Sequence, residues 1–465
     1  MKVHGFLYAT LVILAAARGG AAATAADQTT WNVGTASAVI TPDRPTWMAG
    51  YAARNKPSEG KIHDLFAKAL AIEDADGTRL VIVTMDLISV PRPVRDWLEK
   101  TVQEKYELSP AGLMINCSHT HCGPELRTTP SSLYDLEPER ARQAREYVQT
   151  LQARLEQVVG QALEDLSPAK LTYCHARCGF AMNRRTPIAT GFRNFPNPDG
   201  PVDHDVPVLR VEGADGKLRA VLFGYACHST TLGFYQFCGD YGGFAQSYLE
   251  ESHPDATALF VAGCGADQNP YPRSELVLAE QHGRSLANAV GAALLTTPRP
   301  LDGKLRLAYE TVSLEYATPP TRDELLERAK SKNKYDRLHA EQLLRQLEQD
   351  GKIRDSYPCP VQVIQFGGAL TLVALPGETV VDFSLRLKRE LAGADGASPA
   401  VWVAGYSNDV FAYVPSRRVL LEGGYEAESA MKYMTTIVQP GAFAPTVEEL
   451  IVSKVHELNG RLKEN

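Results

Sequence analysis

The stretch Leu113–Leu126, which reads Leu-Met-Ile-Asn-Cys-Ser-His-Thr-His-Cys-Gly-Pro-Glu-Leu, constrains this chain more than any other. Its apolar start has the length of a buried strand, and Gly123-Pro124 closes it with a turn signal. His119 and His121 therefore lie on a loop beyond a strand's carboxyl end, where α/β sheets collect their ligand-binding groups. Two residues apart in an extended segment, the rings would face the same side. Imidazole is the commonest metal ligand, so the pair is a candidate metal site, with hydrogen-bonded packing as the plain alternative. Cys117 and Cys122 flank it, and thiolates there would make a closed structural zinc site, although such tight spacing is poor geometry for one tetrahedral ion.

A chain of 465 residues can bury a large core and would ordinarily hold more than one domain. No internal repeat, low-complexity block or linker divides it, so one large domain is expected. With a net charge of -7 and no basic stripe, nucleic acid and anionic membrane surfaces are excluded as main partners. Lys2, an apolar run from Phe6 to Ala17 and small residues from Gly19 to Ala26 form a secretory signal, cut near Ala25. The expected layout is a signal peptide over 1–25 and a mature protein over 26–465, secreted or periplasmic. A membrane span takes about 20 apolar residues, and no segment supplies them. The eight cysteines would then meet an oxidising compartment where disulfides can form.

Along the chain, Trp31–Ile40 alternates as a strand, and the runs Ala67–Glu73 and Leu80–Asp86 flank Asp76-Gly77 as a hairpin. Helices are expected over Pro91–Tyr106 and Glu137–Leu166. Lys170–Ala181 reads as a strand, followed by a loop rich in Pro, Asn and Gly from Asn183 through Pro201. A second hairpin, Val206–Val211 with Leu218–Gly224, delivers Cys227 and His228 to a loop. After Gly239-Asp240 come a helix to Glu251, a buried strand Ala256–Ala262, a glycine-rich turn to Pro270 and a helix over Ser274–Leu295. Arg322–Gln349 reads as one solvated amphipathic helix. Val361–Phe366, Ala369–Leu375 and Val401–Ala404 are strands, and helical segments close the chain. Strands alternating with helices predict an α/β fold: one large mixed sheet, helices packed around it, and the site at strand carboxyl ends.

Several such ends carry polar groups: His119 and His121, His228, Glu378, and the segment from Asn408 to Tyr413. Two imidazoles and a carboxylate are a common catalytic zinc set with a position left open. Each has a plainer reading. His228 suits a core histidine, Glu378 after Pro-Gly suits a cap at the positive end of the helix starting at Thr379, and Tyr413 suits the core.

Taken together, Ser118-His-Thr-His-Cys-Gly-Pro124, Asn183-Arg184, Cys227-His228-Ser-Thr, Gly239-Asp240 with Gly243-Phe-Ala245, Leu375-Pro-Gly-Glu378 and Ser407-Asn-Asp-Val-Phe-Ala-Tyr413 resemble the catalytic domain of the neutral, non-lysosomal ceramidases, in the family's order. The resemblance implies that His119, His228, Glu378 and Tyr413 bind one zinc ion, and that His121, Arg184 and Tyr425 line the reaction centre. It implies a small or lipid-like N-acyl substrate, and the chemistry expected at such a site is hydrolysis of its amide by metal-activated water, with His121, whose ordinary pKa of about 6.5 suits both duties, as base and then acid, and Arg184 and Tyr425 donating to the oxyanion. Asp240 and Asp267 are expected to orient the ligand histidines.

Two departures stand out. The family's Gly-Asp-x-Ser-Pro-Asn turn is Gly265-Ala-Asp267-Gln-Asn269-Pro270 here, so no serine stands at Asn269. The chain also stops at Asn465, short of the immunoglobulin-like domain of longer ceramidases. An esterase or lactonase, or a secreted binding protein with decayed catalysis, are the alternative functions.

Overall fold

The computed structural model describes residues 31–128, 138–392, 399–433 and 437–464. The expected signal peptide and Glu137, at one expected helix start, lie outside them. The first half of the chain forms β1 (Trp31–Val39), β2 (Phe66–Glu73), β3 (Arg79–Met85), α1 (Arg92–Tyr106), β4 (Leu113–Cys117), α2 (Pro138–Glu164), β5 (Ser167–Arg177), β6 (Ala181–Ile188), β7 (Gly191–Asn197), β8 (Asp205–Gly213), β9 (Leu218–Tyr225), α3 (Asp240–Ser252), β10 (Thr257–Ala262), β11 (Gln268–Pro270) and α4 (Leu276–Leu294). The second half adds β12 (Arg299–Pro300), β13 (Leu305–Glu315), α5 (Arg322–Arg328), α6 (Lys334–Asp350), β14 (Ser356–Phe366), β15 (Leu370–Ala374), β16 (Glu378–Thr379), α7 (Val381–Leu391), β17 (Ala400–Ala404), β18 (Tyr413–Val414), α8 (Arg417–Glu422), a π-helical turn over Tyr425–Ser429, and α9 (Val447–Glu464).

Side-chain alternation creates the layers, because successive residues of a strand point to opposite faces. Ala67, Ala69, Ala71, Val81, Val83 and Met85 share one apolar cluster with Leu98 of α1 and Leu151 and Leu155 of α2. The residues between them, Leu70, Ile72, Leu80 and Ile82, pack instead on Ile364, Phe366, Leu370, Leu372 and Trp402 of a second sheet. That sheet turns Val361, Val363, Val373 and Val403 the other way, onto Leu387 of α7 and Val455 and Leu458 of α9. The result is helices, sheet, sheet, helices: the mixed α/β architecture expected, one large mixed sheet with helices around it, to which a four-stranded second sheet adds a layer.

Among the described residues the larger sheet runs β10-β9-β8-β5-β1-β2-β3-β4, with β12 beside β5. Its pairs are antiparallel except at the two ends, where β9–β10 and β3–β4 are parallel. The second sheet runs β13-β14-β15-β17 and also ends in a parallel pair. Parallel neighbours send their following loops to the same side, so the loops after β4, β9, β10, β15 and β17 gather.

Asn116 joins three of them. Fully buried in β4, its amide nitrogen donates to the carbonyl of Gly405 at 2.8 Å and to the Ser407 hydroxyl at 3.0 Å, while its oxygen accepts the Ala262 amide at 2.9 Å. The two outermost strands of the large sheet, β4 and β10, thus meet at this side chain, beside the end of β17. Asn116→Ala takes the side-chain acceptor from the buried Ala262 amide and one donor from the Gly405 carbonyl, which keeps the Ser407 hydroxyl at 2.8 Å, and we expect a loss of about 1–3 kcal/mol in urea unfolding. A loss below about 1 kcal/mol would show the junction to be held by packing alone.

Three elements differ from expectation. The segment from Asn183 was expected to be a loop, but β6 and β7 form a hairpin that joins β11 in a three-stranded sheet. Its polar, proline-bearing strands carry no apolar alternation, and its partner, β11, is distant in sequence. The charged helix is two helices, because the Asn333 side chain accepts the amides of Tyr335 and Asp336 and starts α6 anew. Strand β13, half-exposed along most of its length, was missed.

Candidate metal centre and active site

Each predicted donor sits just past the carboxyl end of a strand: His119 after β4, His228 after β9 and Glu378 after β15. Tyr413 follows β17, and β18 pairs with β16 so that Tyr413 lies opposite Glu378. The backbone here is strained. His119, Tyr406 and Asn408 have φ of 58°, 47° and 63°, conformations that cost a non-glycine residue about 1–3 kcal/mol and that cluster at functional sites. The segment from His119 to His121 is therefore not extended, and the same-side argument from strand alternation fails. A left-handed residue followed by a turn brings the rings together instead. Gly50, at φ 103°, makes room, since a Cβ there would lie 2.8 Å from Cβ of His121.

The rings converge on one point. His119 Nε2 lies 3.2 Å from His228 Nε2, 3.2 Å from a Glu378 carboxylate oxygen and 3.1 Å from His121 Nε2. His228 Nε2 is 3.3 Å from the same Glu378 oxygen. The other ring nitrogens face carbonyls: His119 Nδ1 meets Ile88 at 2.6 Å, and His228 Nδ1 meets Gly265 at 3.1 Å. A carbonyl only accepts, so both rings carry their proton on Nδ1 and turn a bare Nε2 inward. Two lone pairs and a carboxylate then face one another with no proton between them, and the inward oxygen of buried Glu378 has no hydrogen-bond donor. Acceptors alone call for a cation. Donors about 2.0–2.1 Å from a tetrahedral ion stand about 3.3 Å apart, and the triangle of His119, His228 and Glu378 has these edges. His121 makes this approach to His119 only. The donor nitrogens of the three histidines lie within 4.8 Å of one another, and this cluster can hold a metal ion.

Electrostatics agree. Burial and the nearby Arg184 guanidinium push His228 down to about 4. Burial, then the other two imidazoles, hold His121 well below its ordinary value. The carbonyl partners of His119 and His228 require neutral rings, so the charge that faces the buried Glu378 oxygen has to come from a bound cation. Burial, then Glu378, raises the Tyr413 phenol.

Arg184, in β6, is one layer back from the cleft. Its Nη2 donates to the Tyr413 hydroxyl at 3.1 Å, Nη1 to the Asn269 side-chain oxygen at 3.2 Å and Nε to Glu426 at 2.8 Å. Tyr425 packs edge-on against Tyr413, with ring centroids 5.4 Å apart. The cleft over this centre is lined by His119, His121, Glu378, Tyr413, Tyr425 and the apolar Met48, Ile88, Leu126 and Val410, all from distant loops.

Tyr51 lines the cleft, its ring 4.9 Å from that of His121. His63 does not, and faces Cys238. Asp240 and Asp267 touch neither ligand ring. Asp240 accepts the Leu232 amide in the loop after His228, and Asp267 accepts the Val381 amide in the helix after Glu378, so each holds the backbone following a donor. The ring-orienting acceptors are the main-chain carbonyls of Ile88 and Gly265, which no side-chain pattern can reveal. Glu426 also went unread, although it directly follows Tyr425. Cys117 and Cys122 stand outside the metal cluster found among the described residues, and all eight cysteines are buried and free in this structure.

Residues 31–269 match the family model described as neutral/alkaline non-lysosomal ceramidase, N-terminal. The chain belongs to this family. The match contains His119, His121, Arg184 and His228 and ends at Asn269, so Glu378, Tyr413 and Tyr425 lie beyond it. Neutral ceramidase A of Dictyostelium discoideum is 25% identical over 256 residues, 51% of this chain and 35% of that protein, so the match spans about a third of that relative. The neutral ceramidase of Pseudomonas aeruginosa superposes with a TM-score of 0.70 at 20% identity, over 94% of this chain and 75% of that one. A ceramidase complexed with C2 superposes equally, 0.70 at 19% identity, over 93% and 76%. Both likenesses concern the fold. No helix among the described residues is long and apolar enough to cross a membrane.

Proposed function

We propose that this family member is an exported zinc hydrolase that cleaves the amide bond of N-acyl, lipid-like substrates, ceramide among them. The observation that carries the reading is the triangle of bare acceptors from His119, His228 and Glu378, set beneath a partly apolar cleft. His119, His228, Glu378 and Tyr413 would hold the zinc. When bound, zinc polarises a carbonyl and lowers the pKa of a water to about 7. The expected export signal over 1–25 belongs to the same reading, as does a single hydrolase domain over 26–465, for which the apolar cluster shared by the two main sheets is the support.

His121 Nε2, beside the donors but with no edge in their triangle, takes the proton of the attacking water as its oxygen bonds to the acyl carbon. The carbon–nitrogen bond then breaks, and the same nitrogen returns the proton to the leaving amine. Held neutral by burial, His121 keeps that proton only in passing. Tyr425 donates its hydroxyl proton in a hydrogen bond to the developing oxyanion. Arg184, with its donors turned to Glu426, Asn269 and Tyr413, orients the Tyr413 oxygen rather than reaching the substrate.

Asn269 motivates a second reading, a decayed binding protein, because it offers no hydroxyl nucleophile. Its oxygen, however, is built into the site, accepting from Arg184 and from the Thr230 hydroxyl at 3.3 Å. Metal analysis followed by a panel of N-acyl (ceramide included), ester and lactone substrates separates the readings. We expect about one zinc per chain, amide turnover, and its loss on chelation with recovery on adding zinc. Turnover of esters or lactones alone would make the enzyme an esterase or lactonase, and none at all would favour the binding protein.

A further inference from the structure

We infer that Glu426 is a positioning residue of this centre: its single carboxylate fixes the Arg184 guanidinium on the Tyr413 oxygen and, through the π-helical turn that it shares with Tyr425, fixes Tyr425 over the same guanidinium. The inference rests on the amide-hydrolase reading only for its kinetic consequences.

Glu426 is 2% exposed, and its two oxygens are divided between two buried arginines. One accepts from Arg184 Nε at 2.8 Å, and the other accepts from Arg185 Nη1 at 2.5 Å. The two contacts differ in what replaces them. Arg185 keeps Glu422 at 3.2 Å and the Gly423 carbonyl at 2.7 Å, so losing Glu426 leaves it anchored. Arg184 keeps only two neutral side chains, Asn269 and Tyr413. A guanidinium is a flat fork of fixed donor directions, so pinning Nε fixes where both Nη groups point.

Arg184 also sits between two aromatic rings. Its guanidinium carbon is 5.7 Å from the Tyr413 ring centre and 5.8 Å from that of Tyr425, within the range of cation–π attraction. Tyr425 and Glu426 are consecutive, at the start of a turn closed by the Ala430 amide on the Tyr425 carbonyl at 3.0 Å. Such π-type turns are rare and frequently mark functional sites. Here the turn sends one side chain to the cleft and the next inward to the arginines. The ion pair thus ties β6, which carries Arg184, to the segment that carries Tyr425.

The test is a double-mutant cycle of Glu426→Gln and Arg184→Gln, with crystal structures of the wild type and Glu426→Gln. Glu426→Gln keeps size while removing charge, and is expected to lower kcat at least tenfold with KM within threefold and zinc content unchanged. Glu426→Asp should recover most of the loss, and Glu426→Ala, which also removes the carboxylate, replaces the glutamine variant if that does not fold. Added to Arg184→Gln, the glutamate change should cost less than a further twofold, because the guanidinium it serves is gone. In the crystal, the Arg184 guanidinium should leave the Tyr413 hydroxyl. Unchanged kcat, losses that multiply across the cycle, or a guanidinium that stays in place would each overturn the assignment. A wild type inactive on every amide sinks the functional reading instead, and the crystal structures then decide the positioning role alone.

Discussion

His228→Ala is expected to abolish both metal binding and turnover while leaving a folded protein. The ring supplies one corner of the acceptor triangle, 3.2 Å from His119 Nε2 and 3.3 Å from the Glu378 oxygen, and alanine leaves that triangle with two corners and Tyr413 as the one other proposed ligand, too weak a set to hold an ion firmly. Changing a residue that merely orients a metal ligand typically costs about 10–100-fold in affinity or activity, so removing a ligand itself should cost at least about 1,000-fold. Folding should survive. His228 stands past the end of β9, outside the layers, and its deletion frees the Gly265 carbonyl and the Tyr406 hydroxyl, which lies 3.2 Å from His228 Nδ1, and leaves Glu378 with a weaker claim on a cation. Metal analysis of the purified variant, beside its circular dichroism, reads the outcome. One equivalent of zinc retained by His228→Ala would remove the proposed centre.

Tyr425→Phe should reduce turnover about 100- to 1,000-fold, the usual worth of one preorganised oxyanion donor, with zinc content unchanged. The ring lines the cleft, packs edge-on against Tyr413 and lies over Arg184, and phenylalanine keeps those contacts while losing the hydroxyl. KM should move little, because the lost hydrogen bond strengthens only as charge develops on the carbonyl oxygen. Steady-state kinetics on an N-acyl substrate measure this. Turnover within twofold of the wild type would dismiss the donor role. A loss of zinc would show that Tyr425 acts by supporting Tyr413.

Several residues of the candidate site were legible because their chemistry is local. His119 and His121 announce themselves as imidazoles past an apolar run, His228 follows a hairpin, and Glu378 follows Pro-Gly after a strand. The hairpins about Asp76-Gly77 and Asp215-Gly216 were equally plain, since turn residues between β runs specify pairing at short range. Other features were silent for a physical reason. The β6–β7 hairpin has no apolar face and pairs with a strand distant in sequence. The break before α6 depends on one asparagine's competition for backbone amides. The carbonyls that orient His119 and His228 belong to the main chain, which every residue shares. Resemblance supplied Tyr413 and Tyr425, which residue chemistry by itself would have left in the core.

The opening histidine pair shows where the division falls. By itself the sequence determined which groups reach the strand ends, because hydrophobic periodicity and turn residues act over a few neighbours. It could not determine that His119 adopts a left-handed backbone, that its Nδ1 proton is claimed by Ile88, or that Glu426 fixes Arg184 across 242 positions. Those outcomes were decided by tertiary structure, of which the junction at Asn116 that draws β4, β10 and the end of β17 together is one part. Buried acceptors come within 3.3 Å of one another only when strands distant in sequence are packed so closely that their loops have no other place to go.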